Sequence, residues 1–228
     1  IEPENLDLDL KTDFNYLTVA QWGPRKNLNN TIKWFVEEFH DSEVGLIVKA
    51  FSASPCIIDK YDTRRRLNSL LSKFPNRKCK VYLLHGDMTD KEMSGLYNHP
   101  KVKGLICISH GEGYGLPMFE ASYNGLPVIA PDWSGQCDFL HKPDKKKKGK
   151  MKHAFLKVDY DMKPIQKEAV WPGVLDENSM WCFPRKESYK AKLKMLKKNH
   201  GAHKKRAKEL STYIKKTFAP EKIHAQFV

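Results

Sequence analysis

Two glutamates with seven residues between them, Glu112 and Glu120, bracket a glycine-rich turn in the stretch Ser109 to Gly135. The apolar run Leu105 to Ile108 delivers the chain into Gly111, Gly113 and Gly115, and Leu116-Pro117 reads as the opening of a helix. Proline suits a first helical turn, where no backbone donor is needed. A strand, a glycine loop and a helix N-terminus together favour an anion. The glycines let the backbone approach a ligand closely, and the helix end offers unpaired N–H groups and a positive dipole. Two acids in a loop that welcomes phosphate call for a second kind of partner. Sugar hydroxyls fit, because one carboxylate can accept from two neighbouring hydroxyls. The stretch reads as backbone for a diphosphate and acids for sugar hydroxyls.

Such residues need a scaffold that presents them from strand ends. Phe14 to Ala20, Val44 to Phe51, Lys80 to Leu84, Val102 to Ile108 and Leu126 to Ala130 read as strands. After the first comes a turn with two adjacent cations, Arg25 and Lys26, and then Leu28, Ile32, Phe35, Val36 and Phe39 at helical spacing. A basic helix around Arg64 to Phe74 buries Leu67, Leu70, Leu71 and Phe74, and Thr89 with Glu92 forms a capping-box pattern ahead of Met93 and Leu96. Strand and helix alternate, which predicts an α/β fold, a doubly wound parallel sheet with helices on both faces and ligands at the carboxyl ends of its strands. Residues 1–12 read as a linker, and 13–228 as one domain. Within it, 141–153 is a solvated lysine-rich loop, Ala154 to Asp159 a late strand and Pro164 to Pro184 irregular chain. Two basic helices follow, the second burying Ala207, Leu210, Ile214 and Phe218.

At 228 residues the chain can bury a real core. Its 40 Lys and Arg against 27 Asp and Glu attract phosphorylated ligands, nucleic acid or anionic membrane without choosing among them. The five cysteines form no C-x-x-C pair, so neither a disulfide framework nor a zinc site is supported and a reducing compartment fits best. The longest apolar runs are too short for a membrane span, and the acidic start is unlike a signal peptide. We expect a soluble, cytoplasmic protein, with the basic C-terminal region available to an anionic membrane surface. The first residue is Ile, which suits a piece of a longer chain.

Gly111-Glu112-Gly113-Tyr114-Gly115-Leu116-Pro117 with Glu120, followed by Gly125-Leu126-Pro127-Val128-Ile129-Ala130, resembles the nucleotide-sugar-binding half of GT-B-fold retaining glycosyltransferases of the group 1 (family 4-like) kind. That family pairs two Glu across a glycine loop and continues E-A-x-x-x-G-x-P-V-I, here carried by Glu120, Ala121, Gly125, Pro127, Val128 and Ile129. The resemblance implies a Rossmann-like C-terminal GT-B domain whose donor is a nucleoside-diphosphate hexose. It gives the ribose hydroxyls to Glu120 and the transferred sugar to Glu112. The diphosphate or the sugar goes to the backbone near Gly113, Tyr114, Gly115, Leu116 and Pro117, and the leaving diphosphate to Lys26. Gln21 stands where the family often has an arginine, so Arg25 is the candidate for the second cation. Gly86, Asp87 and Met88 fall where similar proteins cradle the base. The acceptor, a saccharide, lipid or protein, would be held largely by an N-terminal domain that this chain lacks. The chain alone is then expected to bind donor and transfer poorly or not at all.

Asp7-Leu8-Asp9 and Asp159-Tyr160-Asp161 match the D-x-D metal pattern of the other large glycosyltransferase fold, but both lie outside the expected surroundings. The expectation is transfer with retention, no metal and no cofactor. Trp133, at the end of the fifth strand, is expected to pack in the core. Two alternatives remain open. One is a GT-B-like epimerase or phosphorylase. The other is a basic nucleic-acid-binding protein or a non-catalytic nucleotide binder; nucleic acid is the weaker partner, because no aromatic residues interleave with the cations.

Overall fold

The computed structural model describes residues 1–144 and 147–225. The chain runs β1 (Asn15–Gln21), α1 (Leu28–Phe39), β2 (Gly45–Phe51), α2 (Ile57–Leu71), β3 (Lys80–Leu84), α3 (Asp90–Asn98), β4 (Val102–Ile106), α4 (Leu116–Tyr123), β5 (Val128–Pro131) and α5 (Cys137–Leu140). It continues through β6 (His141–Pro143), β7 (Met151–His153), β8 (Leu156–Val158), β9 (Tyr160–Pro164) and β10 (Met180–Pro184), then α6 (Lys186–Lys198), α7 (His200–Thr217) and α8 (Pro220–His224).

Six strands form one parallel sheet in the order β3-β2-β1-β4-β5-β8. Successive side chains of a strand leave on opposite faces, and here both faces are covered, so the alternation divides the core in two. Tyr16, Leu46, Val48, Ile106 and Ile129 face Ile32 and Phe35 of α1 and Leu193 of α6. Leu17, Ile47, Leu105 and Val128 face Leu96 of α3, Met118 of α4 and Leu210 of α7. Two buried hydroxyls tie the first layer together: Tyr16 Oη donates to the Leu193 carbonyl at 2.7 Å and Tyr189 Oη to the Thr31 carbonyl at 3.1 Å. The strand order reverses between β1 and β4. Loops leaving the carboxyl ends of these two strands diverge to opposite faces and leave a crevice between them, where such sheets bind ligands.

Three expectations need correction. The lysine-rich stretch is not wholly a solvated loop: β6 and β7 pair antiparallel, and Lys142 is buried with its Nζ 2.5 Å from Glu209 Oε2 of α7. Lys145 and Lys146 of that expected loop lie outside the described residues. Nor is Pro164 to Pro184 irregular throughout, because its last five residues, β10, pair antiparallel with β9, which ends at Pro164, with Trp181 buried and Trp171 exposed. Finally α2 starts at Ile57, earlier than the periodicity around Arg64 indicated, because its first turn exposes Ile57 and Ile58 and leaves no amphipathic signal. Phe218 packs against the second cluster beside Phe119, ring centres 5.7 Å apart, while remaining partly exposed.

Residues 1–12 carry neither helix nor strand but lie on the domain as a strap. Leu10 is buried, Leu6 and Leu8 pack on the second cluster, and the Glu4 N–H donates to the Lys91 carbonyl at 3.0 Å. Gly95 of α3 makes the room, since a methyl group there would overlap the Glu4 carbonyl. Gly95→Ala should favour the helix by about 1 kcal/mol yet release the strap, so limited proteolysis should remove the first dozen residues faster than from wild type. Unchanged protection would show that the strap is not seated on Gly95.

Candidate active site

The β1–α1 loop closes with a turn of 3-10 helix, Pro24–Lys26, and Asn27 in the left-handed region (φ 54°) reverses it into α1. Asparagine is among the few non-glycine residues that tolerate this conformation. The Asn27 amide then donates to the Ile108 carbonyl at 3.0 Å, and the Arg25 carbonyl accepts from the His110 N–H at 2.8 Å. These bonds fasten the loop after β1 to the loop after β4 across the crevice.

They also set the side chains. Lys26 Nζ lies 2.8 and 2.6 Å from the two carboxylate oxygens of Glu112. Arg25 Nη1 donates to the Gly111 carbonyl at 2.5 Å and to Glu112 Oε2 at 3.1 Å. The Glu112 side chain is only 7% exposed, that of Lys26 19% and that of Arg25 44%, so the cluster grades from a shielded acid to a solvent-facing cation. Glu112 is fixed from behind by the loop after β5. Ser134 Oγ donates to the Glu112 carbonyl at 2.6 Å and accepts the Glu112 N–H at 3.2 Å, while the Gly135 N–H reaches the same carbonyl at 3.1 Å. A side chain at 135 would overlap the Gly113 carbonyl, so only glycine lets the two loops meet.

Beyond Glu112, Gly113 has open space where a side chain would be, and Gly115 (φ 88°) turns the chain into α4 with Pro117 in the first turn. No side chain caps this helix end, leaving its N–H groups and positive dipole to an anion. Glu120 lies one turn further and makes none of the Lys26 or Arg25 contacts; its Oε2 accepts from Tyr97 Oη of α3 at 2.8 Å. Burial pushes the Glu120 carboxyl above its ordinary value near 4.5, although the Tyr97 hydroxyl opposes the shift. The acid lines a cavity of ≈ 330 Å³ between α3 and α4, with Asp90, Met93, Tyr97 and Phe119 around it.

Asp90 and Met93 belong to the helix that directly follows Gly86, Asp87 and Met88. Gly86 is left-handed (φ 110°), its carbonyl accepts from the buried Lys49 ammonium, and Met88 packs on the second cluster. Burial lowers the Lys49 pKa, with Asp87 and Glu92 pulling the other way. The adjacent His85 Nε2 lies 2.8 Å from Asp59 Oδ1. Burial would raise the Asp59 pKa, but donation from the Ala53 and Ser52 N–H groups, His85 and the Ser54 N–H holds it well below the carboxylate range. This pair ties the loops after β2 and β3 together. The loop after β3 stands three strand positions from that after β4, roughly 14 Å along the sheet edge.

No protein-family model and no curated protein sequence matches the chain. Solved structures do. The C-terminal domain of a glycosyl transferase group 1 family protein, LpcC from Francisella tularensis, superposes with a TM-score of 0.56 at 15% identity, over 91% of this chain and 87% of that one. Sucrose-phosphate synthase from Thermosynechococcus elongatus gives 0.64 at 17% identity, and Anabaena HepE, solved with UDP and glucose, 0.61 at 15%; each match covers 96% of this chain. The fold is that of a C-terminal GT-B domain. The chain spans 45% of the synthase and 48% of HepE, so it corresponds to about half of each.

Within this GT-B domain the structure brings Glu112, Lys26 and Arg25 into contact and sets Glu120 apart on the α3 side of α4. Gly113 to Pro117 run between the two acids. Sequence reasoning did not pick out Tyr97, Ser134 or His110, each of which holds a loop or an acid through a contact distant in sequence. Trp133 is a correction: it belongs to neither core cluster, and its half-buried indole lies beside Gly111 and 6.2 Å from the Tyr160 ring. The second D-x-D is occupied otherwise, Asp161 pairing with Arg185 at 2.5 Å and Asp159 accepting from Ser188 Oγ at 3.0 Å. Among the described residues no three His, Cys, Asp or Glu side chains are grouped to hold a metal ion, and no helix is long and apolar enough to cross a membrane.

Proposed function

We propose that this chain is the donor-binding domain of a glycosyltransferase that moves a hexose from a nucleoside-diphosphate sugar to an acceptor with retention of configuration and without a metal. The observation that carries the reading is the Arg25–Lys26–Glu112 cluster at the strand-order reversal, next to the uncapped start of α4. Breaking the sugar–phosphate bond builds charge on the departing diphosphate, and preorganised donors aimed at that charge lower the barrier. Lys26, Arg25 and the N–H groups around Gly113 to Leu116 supply them. A diphosphate competes with Glu112 for the two cations, and Glu112, released from them, accepts hydroxyls of the transferred sugar. Glu120 bridges the ribose diol, with the cavity beside it and the Gly86–Met88 loop receiving the base. The departing phosphate takes the acceptor's proton. The acceptor, a saccharide, lipid or protein, completes the site together with a partner domain. We place the protein in the cytoplasm, where the lysines of α6 and α7 suit the surface of an anionic membrane.

A thermal-shift panel of UDP, GDP and ADP in EDTA tests this. At least one nucleotide should stabilise the chain. Stabilisation by none, or only when a divalent cation is restored, would refute the reading. Affinity should also depend on pH in a defined direction. Glu120 accepts hydroxyls as the anion, so binding should be constant above its raised pKa and fall as pH drops through it, beginning above the ordinary value near 4.5.

A further inference from the structure

We infer that the cavity between α1, the β9–β10 ribbon and the start of α6 is a saccharide-binding site, which holds the hydroxyl-rich end of an acceptor beside the donor loop. The cavity measures ≈ 440 Å³, and Asn27, Asn30, Trp34, His110, Phe183 and Arg185 are among its walls. Its position is the first argument. Asn27 follows Lys26 and His110 precedes Gly111-Glu112, so the cavity is built from the same two loops as the cation–carboxylate cluster, on the carboxyl edge of the sheet.

Its chemistry is the second. Trp34 and Phe183 contribute partly exposed ring surface, with the buried His110 ring packed against Phe183 at 4.3 Å between ring centres, and such surfaces accept the C–H face of a pyranose. The remaining walls mix donors and acceptors. Asn30 Nδ2 donates to Asn27 Oδ1 at 2.8 Å, Arg185 pairs with Asp161, Lys163 Nζ lies 6.0 Å from the Phe183 ring centre, and Glu187 also lines the cavity. The lining carries charge of both signs, and two of its cations are already paired, Arg185 with Asp161 and Lys186 with Glu37, so it selects neither an anion nor a cation; an apolar ligand would leave the amides and the ion pair without partners. A neutral polyol uses both kinds of group.

His110 is the third. Its Nδ1–H donates to the Cys182 carbonyl at 2.7 Å, which leaves Nε2 as the lone-pair atom. The residue is 1% exposed, and Nε2 is buried without a hydrogen-bond partner. Burial pushes the imidazole pKa down, against the pull of the Cys182 carbonyl, so the ring is a neutral acceptor that calls for a hydroxyl rather than a phosphate. An unmet buried acceptor is rare in folded proteins and here points to a donor supplied from outside.

Binding of an acceptor rests on the proposed transferase function, whereas saccharide binding does not. The test is a titration of the intact chain with neutral di- and trisaccharides of glucose, galactose, mannose and N-acetylglucosamine at millimolar concentrations, read from the indole N–H resonance of Trp34. At least one should shift it saturably. Asn30→Leu, which replaces a polar group of the wall by an apolar one, should weaken that saccharide about tenfold or more while changing nucleoside-diphosphate affinity less than about twofold. Trp34→Phe keeps a ring without the indole N–H and should also weaken it when followed by intrinsic chemical shifts elsewhere in the cavity. Thermal unfolding verifies that both variants fold. No shift with any saccharide, or affinity unchanged in both variants, would overturn the inference. Failure of the nucleotides alone to bind would count against the donor site and leave the saccharide result standing.

Discussion

Glu120→Ala should abolish measurable nucleoside-diphosphate binding and also lower the stability of the free chain. Two charge-assisted hydrogen bonds to the ribose diol are each worth about 1.5–3 kcal/mol, and losing both weakens binding by roughly 10²–10⁴-fold. The stability loss has a separate cause. Tyr97 is 1% exposed and its hydroxyl donates to Glu120, so truncation leaves a buried hydroxyl without an acceptor, at a cost of about 1–3 kcal/mol. Relief of the burial penalty on the carboxylate offsets part of it. Glu120→Gln separates the two effects. The amide oxygen still accepts from Tyr97, so stability should stay near wild type, while the second arm becomes a donor and nucleotide affinity remains low. Calorimetric titration and thermal unfolding of both variants check this. Nucleotide affinity retained in Glu120→Ala would remove Glu120 from the donor site.

Lys26→Ala should have the largest effect on the folded state and on transfer alike. It leaves the shielded Glu112 with one ion pair, to the half-exposed Arg25, and a long contact from the Cys107 thiol at 3.9 Å. Removing one member of a buried ion pair costs about 3–5 kcal/mol when the other charge is left unpaired, and the remaining Arg25 places this case at the lower end. Lys26→Ala with Glu112→Gln should recover most of that loss, because no unpaired buried charge remains. Denaturant unfolding of the single and double variants reads it. Diphosphate affinity should not recover with stability. Joined to an acceptor-binding partner domain, either variant should lose roughly 10²–10³ in kcat, the usual effect of deleting a donor aimed at developing charge. A double variant no more stable than the single one would mean that the cluster is not held by the pairing seen here.

How much of this was legible in the sequence depends on whether the signal was local. The alternation of Tyr16, Leu17 and Thr18 or of Leu46 and Ile47 reports a strand covered on both faces, and Leu28, Ile32, Phe35 and Phe39 report one face of a helix; both patterns are properties of a short window. Hence the five main strands, the doubly wound order and the glycine loop could be read directly. Arg25 could not be assigned, because its direction is set by a turn of 3-10 helix and by the Gly111 carbonyl 86 residues away. Lys142 reads as solvated in a run of lysines and is buried because Glu209 of α7 meets it. The β9–β10 ribbon was hidden for a similar reason. Its strands are five residues each, separated by a long connection, and Cys182 is committed to β10 through two backbone contacts with His110, its N–H on the His110 carbonyl and its carbonyl on the ring. Nothing local in the sequence shows that the Tyr97 hydroxyl meets Glu120, 23 residues away.

One nucleotide should span Glu120, the start of α4 and the Lys26–Arg25 pair. A crystal structure of the chain with the best nucleoside diphosphate from the panel tests it most directly. Both ribose hydroxyls should lie on the Glu120 carboxylate and the terminal phosphate at Lys26 and the Gly113 to Leu116 backbone, with Glu112 released from the two cations. The contrary result would be a nucleotide seated elsewhere, above all in the basic recess where Lys152, Lys205 and Arg206 gather, with Glu112 still paired to Lys26.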